Sequence, residues 1–323
     1  MKKCVALFLA LMLLCMGATA LAEDDPIKIG FTFFHFGDPF SQDVRSGVID
    51  GCNEFGWEVT IQDGHLDTAT QIGQMESFIA SDVDAIIMGT VDPDGLIPAC
   101  MDALDAGIPV FQINGTTTDL KGSTGSIYVD YYQSGYECGE AAVEYTINNL
   151  GGSANAVILT NPTSKVVAAN CENGFRDAIS ACEGITIVAE QAYFRSSGTD
   201  RENGMSVIED LIQNYDIDII YCCTEQPVLG GRDAMIAAGY ESAFLTCTFW
   251  SDEVFELFEA NDPFFYMASA QNPYVQAIEL CKMINTYLTT GECEFKHTVS
   301  TDIITRETVK DYDWRSIVEK RDK

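Results

Sequence analysis

Short apolar runs, each followed by a polar turn and a helix-length amphipathic stretch, recur along almost the whole chain. Residues 83–115, "VDAIIMGTVDPDGLIPACMDALDAGIPVFQING", show the unit: strand, turn, helix, strand. The same order runs through "IKIGFTFF", then "PFSQDVRSGVIDGCNEFG" with Pro39 near the helix start and Gly56 at its end. "WEVTIQ" and the helix "TATQIGQMESFIAS" follow. After "GSIYVD" the pattern restarts with a helix from Tyr131 to Leu150 and the strand "ANAVILT". Next come the helix "SKVVAANCENGFRDAISAC", with Ser164 as its cap, and the strand "GITIVAEQ". The helix "RENGMSVIEDLIQNY", the strand "DIDIIYCC" and the helix "VLGGRDAMIAAG" precede the strands "AFLTCTF" and "FFYMASA". Repeated β-α alternation predicts an α/β fold: two doubly wound, parallel-sheet (Rossmann-like) lobes with helices on both faces.

The first 22 residues read as an export signal. Lys2 and Lys3 supply the positive start, Val5 to Met16 an apolar core too short to span a bilayer, and Ala20-Leu21-Ala22 a cleavage site. Cys15 offers a lipoprotein alternative, but Leu14 stands where a small residue is expected. The expectation is therefore a periplasmic or extracellular protein. About 300 residues remain, enough for two lobes. The formal net charge is −31, and −33 once Lys2 and Lys3 leave with the signal. Such a surface repels nucleic acid and anionic lipid. Of the twelve cysteines, Cys4 and Cys15 fall in the signal; the rest lack paired spacing for zinc or redox work, and Cys281–Cys293 is the pair most suited to a bridge. His35, His65 and His297 are far apart in sequence. No metal and no cofactor are expected. The turn "GTVDPDG" has neither dinucleotide glycine spacing nor a phosphate-loop lysine.

Open parallel sheets bind ligands beyond the carboxyl ends of their strands, so two facing lobes would enclose a cleft. At this point the chain resembles a known family. "VDAIIMGTVDPDGL" with "ALDAGIPVF" is similar to the third and fourth strand unit of the type I periplasmic sugar-binding proteins of ABC importers, in the ribose-binding-protein-like branch. "FFHFGDPFSQDVRSGV", "ENGFRDAI", "ASAQNPYVQAIELCKMI" and "TDIITRETVKDY" extend the likeness in order over the mature chain. The resemblance implies three crossover strands acting as a hinge near Asp130, Gln271 and Ser300. It places residues 23–129 plus 272–300 in an N-terminal lobe and 130–271 plus 301–323 in a C-terminal lobe.

It also implies a ligand set. Asp38, after the first strand, occupies the family's polar ligand position, though Pro39 behind it equally suits a helix cap. Phe40 matches a stacking aromatic, with Phe34, His35 and Phe36 adding aromatic surface. Asn114 stands where the family usually has Asp. Gly89 replaces another polar position, which Thr90 or Asp92 would take over. In the second lobe Phe194 resembles the other stacking aromatic, Thr224, Glu225 and Gln226 follow "DIDIIYCC", and Trp250 and Asp252 follow "AFLTCTF". Gln271 matches a hinge-side glutamine. The family's arginine before "ENGF" is absent, with Ala169, Asn170 and Cys171 in its place, and Arg195 is the spatial substitute to consider.

The functional expectation is a monomeric, extracytoplasmic substrate-binding protein that serves ABC transporter membrane subunits. Acidic and amide groups between flat rings suit a neutral sugar, sugar alcohol or similar polyhydroxylated molecule. A nucleoside, a cationic amine or a ligand-presenting sensory role are the alternatives. An enzyme is not expected: there is no G-x-S-x-G elbow, no clustered His, and Asp92 and Asp94 share a tight turn. A transcription regulator would need a DNA-binding head and a basic face, against the export signal and the charge.

Overall fold

The computed structural model describes residues 25–114, 122–164, 166–194 and 197–321. The export signal with Cys15 and Ala22, and Arg195, lie outside the described residues. The first sheet runs β11-β5-β4-β3-β1-β2 and is parallel throughout. Its strands are β1 (Lys28–Phe33), β2 (Glu58–Asp63), β3 (Ala85–Met88), β4 (Val110–Gln112), β5 (Gly125–Val129) and β11 (Lys296–Val299). Helices α1 (Pro39–Phe55), α2 (Thr68–Ala80) and α3 (Pro93–Asp105) connect the first four. Central strands covered on both faces read as unbroken apolar runs; β3 is buried at every position and β1 at all but Lys28.

The second sheet repeats the plan in the order β12-β10-β9-β8-β6-β7, with β12 antiparallel to β10. It contains β6 (Ala154–Thr160), β7 (Ile185–Ala192), β8 (Ile219–Cys222), β9 (Phe244–Phe249), β10 (Met267–Ala270) and β12 (Asp302–Thr305). Its helices are α4 (Tyr131–Asn149), α5 (Val167–Ile179), α6 (Asp200–Leu211), α7 (Glu225–Ala237) and α8 (Asp252–Glu259). Helix α9 (Pro273–Thr290) follows β10, and a one-turn 3-10 helix leads to α10 (Trp314–Val318).

The chain passes between the sheets three times: at Asp130 between β5 and α4, at Gln271 between β10 and α9, and at Ser300 and Thr301 between β11 and β12. Helix α9 lies on α1, and the approach requires glycine. A Cβ on Gly47 would fall 2.5 Å from the Tyr274 carbonyl oxygen, and one on Gly51 2.6 Å from Cys281 Sγ. Three apolar clusters form the cores: two on opposite faces of the first sheet and one through the second lobe. Phe40 packs against both the second-lobe core and the α1 face of the first.

Three local readings differ from the expectation. Helix α5 starts at Val167, later than read; Ser164 Oγ accepts from Ala168 N at 3.2 Å, but Val166 occupies the cap. Helix α7 starts at Glu225, earlier than read, because Pro227 falls in the first turn, where a missing N–H breaks no helical bond. Cys281 and Cys293 do not pair: Cys293 Sγ donates to the Thr124 carbonyl, whereas Cys281 faces Val48 and the Cys52 thiol. The described cysteines are all free thiols.

Candidate functional site

At the carboxyl ends of β1, β8, β9 and β10 lies a cavity of about 400 Å³ shared by the two lobes. The first lobe contributes Asp38, Pro39 and Phe40, the second Asp200, Thr224, Glu225, Gln226, Trp250 and Ser251, and the crossover Gln271. Each sheet places its strand-order switch beside β1 or β6, so the following loops and helix starts open toward the other lobe. Four helices begin at the cavity wall: α1 at Pro39, α6 at Asp200, α7 at Glu225 and α8 just after Ser251.

Asp38 does the work of a cap and still lines the cavity. Oδ1 accepts from Ser41 N at 3.0 Å, Oδ2 from Ser41 Oγ at 2.6 Å, and His35 Nε2 lies 2.9 Å from Oδ2. His35 Nδ1 accepts from Gly37 N at 3.0 Å, so a neutral ring with its proton on Nε2 satisfies both contacts. A carboxylate has about four acceptor sites, which leaves Asp38 one for a ligand.

Glu225 has a different environment. No side-chain donor among the described residues reaches it, and burial, reinforced by Asp38, Asp200 and Glu253, pushes its carboxyl up to about 7. Position in the first turn of α7 works the other way, since a helix N-terminus favours an anion by about 0.3–1 kcal/mol. The upward shift shows that desolvation wins. Asp200 is an exposed residue whose carboxyl is raised by partial desolvation, and it has no hydrogen-bond or ion-pair partner among the described residues. Thr224 Oγ1 is buried without a partner among them.

Trp250 is nearly fully buried; it lines the cavity while its Nε1 donates to Asp43 Oδ2 at 2.7 Å. Gln271 is fixed by its backbone, whose N–H donates to the Phe249 carbonyl at 2.9 Å. Its Oε1 lies 3.3 Å from Tyr131 Oη, which also lies 3.2 Å from Asn114 Oδ1. One hydroxyl carries one proton, so one of the two amides turns its NH₂ toward Tyr131.

Of the expected site residues, the structure brings Asp38, Phe40, Thr224, Glu225, Trp250 and Gln271 to one cavity. Five others do not line it, and each has a physical reason. Phe36 packs edge-on against Phe31 at 5.7 Å and stacks on Phe33 at 5.9 Å, as part of the first-lobe core. Asp92 caps α3 positionally and is exposed. Asn114, at φ 53°, turns to the Tyr131 hydroxyl. Phe194 is 50% exposed. Asp252 is held by Arg321, whose NH1 and NH2 donate to its two oxygens at 2.8 and 3.0 Å. Arg195 lies outside the described residues. Sequence reasoning missed Asp200, whose only local signal is Thr199, the first residue of a capping box with Glu202. It also missed Ser251 and the pairing of Arg321 with Asp43 and Asp252.

Known proteins share this architecture. Residues 29–292 match the periplasmic binding protein domain. The ribose import binding protein RbsB of Bacillus subtilis is 24% identical over 251 residues, covering 74% of this chain and 79% of that protein. The galactofuranose-binding protein YtfQ of Escherichia coli is 26% identical, covering 69% of this chain and 70% of that protein. An ABC transporter periplasmic solute binding protein from Actinobacillus succinogenes, solved with bound D-allose, superposes with a TM-score of 0.76. That superposition covers 88% of this chain and 100% of that one at 20% identity, a likeness of fold. With two doubly wound lobes, a cavity between them and a match across most of its length, this chain belongs to the periplasmic binding protein domain family.

Proposed function

We propose that the protein is the extracytoplasmic substrate-binding component of an ABC importer, and that it captures a sugar, sugar alcohol or similar polyhydroxylated molecule without altering it. The observation that carries this reading is the cavity of about 400 Å³ between Phe40 of one lobe and Trp250 of the other, with polar groups at its rim. Its size lies in the range of about 300–1,000 Å³ typical of small-molecule sites. Sugar C–H faces lie against aromatic rings, while hydroxyls meet side-chain oxygens and amides. Here Thr224 Oγ1, the free acceptor site of Asp38 and the Gln271 side chain offer those contacts. Ribose and galactofuranose appear in the names of the two relatives above, which supports the ligand class.

The lobes, residues 23–129 with 272–300 and 130–271 with 301–323, move as units about the three crossovers. Contacts from both are satisfied together only when the cleft is closed. The closed form, as a monomer, is what the membrane subunits receive after export and removal of the signal near Ala22. Among the described residues no helix is long and apolar enough to cross a membrane. A thermal-shift and calorimetry panel of ribose, allose, galactose, xylitol and myo-inositol, with amino-deoxy counterparts, tests the reading. A ligand at 100 times Kd stabilises by about 2.7 kcal/mol; no shift with any member would overturn it.

A further inference from the structure

Among the described residues the cavity wall has three carboxylates, Asp38, Asp200 and Glu225, and no Lys, Arg or His. Among the described residues the arginines near the site are already committed. Arg201 donates to Asp233 and Glu253, and Arg321 to Asp43 and Asp252. His35 Nε2 is taken up by Asp38 at 2.9 Å and does not line the cavity. Among the described residues no cation faces Asp200 or Glu225, and a neutral polyol would fill the cavity without supplying one.

We propose that the preferred ligand is an amino-substituted polyol, its ammonium group seated among Asp38, Asp200 and Glu225 and its hydroxylated body between Phe40 and Trp250. This deepens the substrate-binding reading and rests on it. An ammonium group brings three donors and no acceptor, which matches a wall of under-used carboxylate oxygens. The two aromatic rings pack against the C–H faces of the hydroxylated body. The Thr224 hydroxyl, without a partner among the described residues, supplies a hydrogen-bonding group for the polyol portion.

Glu225 makes the proposal testable by pH. The groups facing it are Asp38 before α1, Asp200 on α6, Glu253 on α8 and the Cys247 thiol on β9. Burial holds the Glu225 proton to about pH 7, and burial also keeps Cys247 protonated. A cation that binds the ionised carboxylate displaces that proton, so its affinity rises with pH up to about 7. The limit is about tenfold per pH unit for one proton released. A neutral polyol releases none and shows no such rise.

The experiment is calorimetry on the full mature protein at pH 6.0, 7.0 and 8.0. The probes are glucose, glucosamine and N-acetylglucosamine; galactose, galactosamine and galacturonate; and myo-inositol with its amino-deoxy counterpart. The expected result is that an amino member binds at least about tenfold tighter than its neutral parent at pH 7.0. Its N-acetyl form loses that gain, the amino member's affinity falls toward pH 6.0, and its observed binding heat varies with the buffer's ionisation enthalpy because a proton is released. Asp200→Asn, an exposed first-turn position, reduces the amino preference, and Glu225→Gln removes the pH dependence if that variant folds. Neutral parents binding as tightly as their amino partners would overturn the charge inference and leave the substrate-binding reading standing. Galacturonate as the tightest probe would overturn the sign of the charge. No binding by any member of the panel would overturn the substrate-binding reading and this inference together.

Discussion

Asp43 and Arg321 meet across the interlobe boundary as a fork-to-fork pair: Arg321 Nε donates to Asp43 Oδ1 at 2.8 Å and NH2 to Oδ2 at 2.6 Å. Asp43 is on α1 of the first lobe and fully buried; Arg321 follows α10 at the end of the chain. The same guanidinium holds Asp252 at the start of α8, and Trp250 Nε1 completes the shell of Asp43. The two carboxylates keep the guanidinium's proton affinity above its ordinary value despite burial. Lys320 reinforces the contact by reaching Asp50 and Tyr274, and Ser46 Oγ donates to the Lys320 carbonyl at 3.2 Å. A carboxylate taken fully out of water is tolerable only with such partners, so the tail clasps α1 to the second lobe beside the cavity.

Removing the clasp has a calculable direction. Arg321→Ala strands Asp43 with Trp250 as its remaining partner, and breaking a buried pair costs about 3–5 kcal/mol. Chemical denaturation of the variant is expected to show a loss near the lower end of that range. Ligand-free scattering is expected to show a larger radius of gyration than the parent. Unchanged values in both measurements would show that the tail does not tie the lobes.

The aromatic walls are unequal. Phe40 touches both cores and lines the cavity, whereas Phe194 is 50% exposed and lies off it. Phe40→Ala is expected to weaken ligand binding by about tenfold or more, because a ring packed on the ligand contributes about 1.5–3 kcal/mol. Phe194→Ala is expected to change it less than about twofold. Calorimetry with a panel ligand separates the two, and equal losses would place Phe194 at the ligand.

Tyr131 joins Asn114 of the first lobe to Gln271 at the crossover through one buried hydroxyl. Tyr131→Phe leaves two amides short of a partner. A stability loss of about 1–2 kcal/mol is expected, together with weaker binding through a less fixed Gln271. Binding and stability both at parental values would remove Tyr131 from the hinge network.

Glu225 gives the ligand-free protein an unusual pH dependence. Its carboxyl is raised from 4.5 to about 7 in the folded protein. Between those values the native state holds a proton that the unfolded chain has released. The Glu225 contribution to stability therefore falls as pH rises through that window, by roughly 1.4 kcal/mol per pH unit at most. Carboxylates lowered by their partners, such as Glu259 beside Arg315, act in the opposite sense at lower pH, where stability is lost as pH falls. Denaturation midpoints at pH 5, 6, 7 and 8 are expected to decline for the parent and flatten in Glu225→Gln. Parallel curves would show that Glu225 titrates normally.

Much of the architecture is legible in the chain itself. Strand and helix positions follow from local periodicity, because a strand covered on both faces must be apolar throughout and a covering helix on one stripe. "AIIM" and "FLTCTF" are fully buried strands, and Gly56 and Gly291 end their helices at positive φ. Strand ends therefore point to Asp38, Thr224, Glu225 and Trp250 from sequence alone. The division of roles among neighbouring polar residues is not local. Asp38 is drawn into capping by Ser41, three residues on, while Asp252 is neutralised by Arg321 from the far end of the chain. Asp200 enters the cavity only because α6 begins beside α7. Periodicity records which face of an element is buried, and it fixes strands, helices and the loops between them. Which loop meets which across two lobes depends on how the lobes dock, and that decided which carboxylates were paired and which were left facing the cavity.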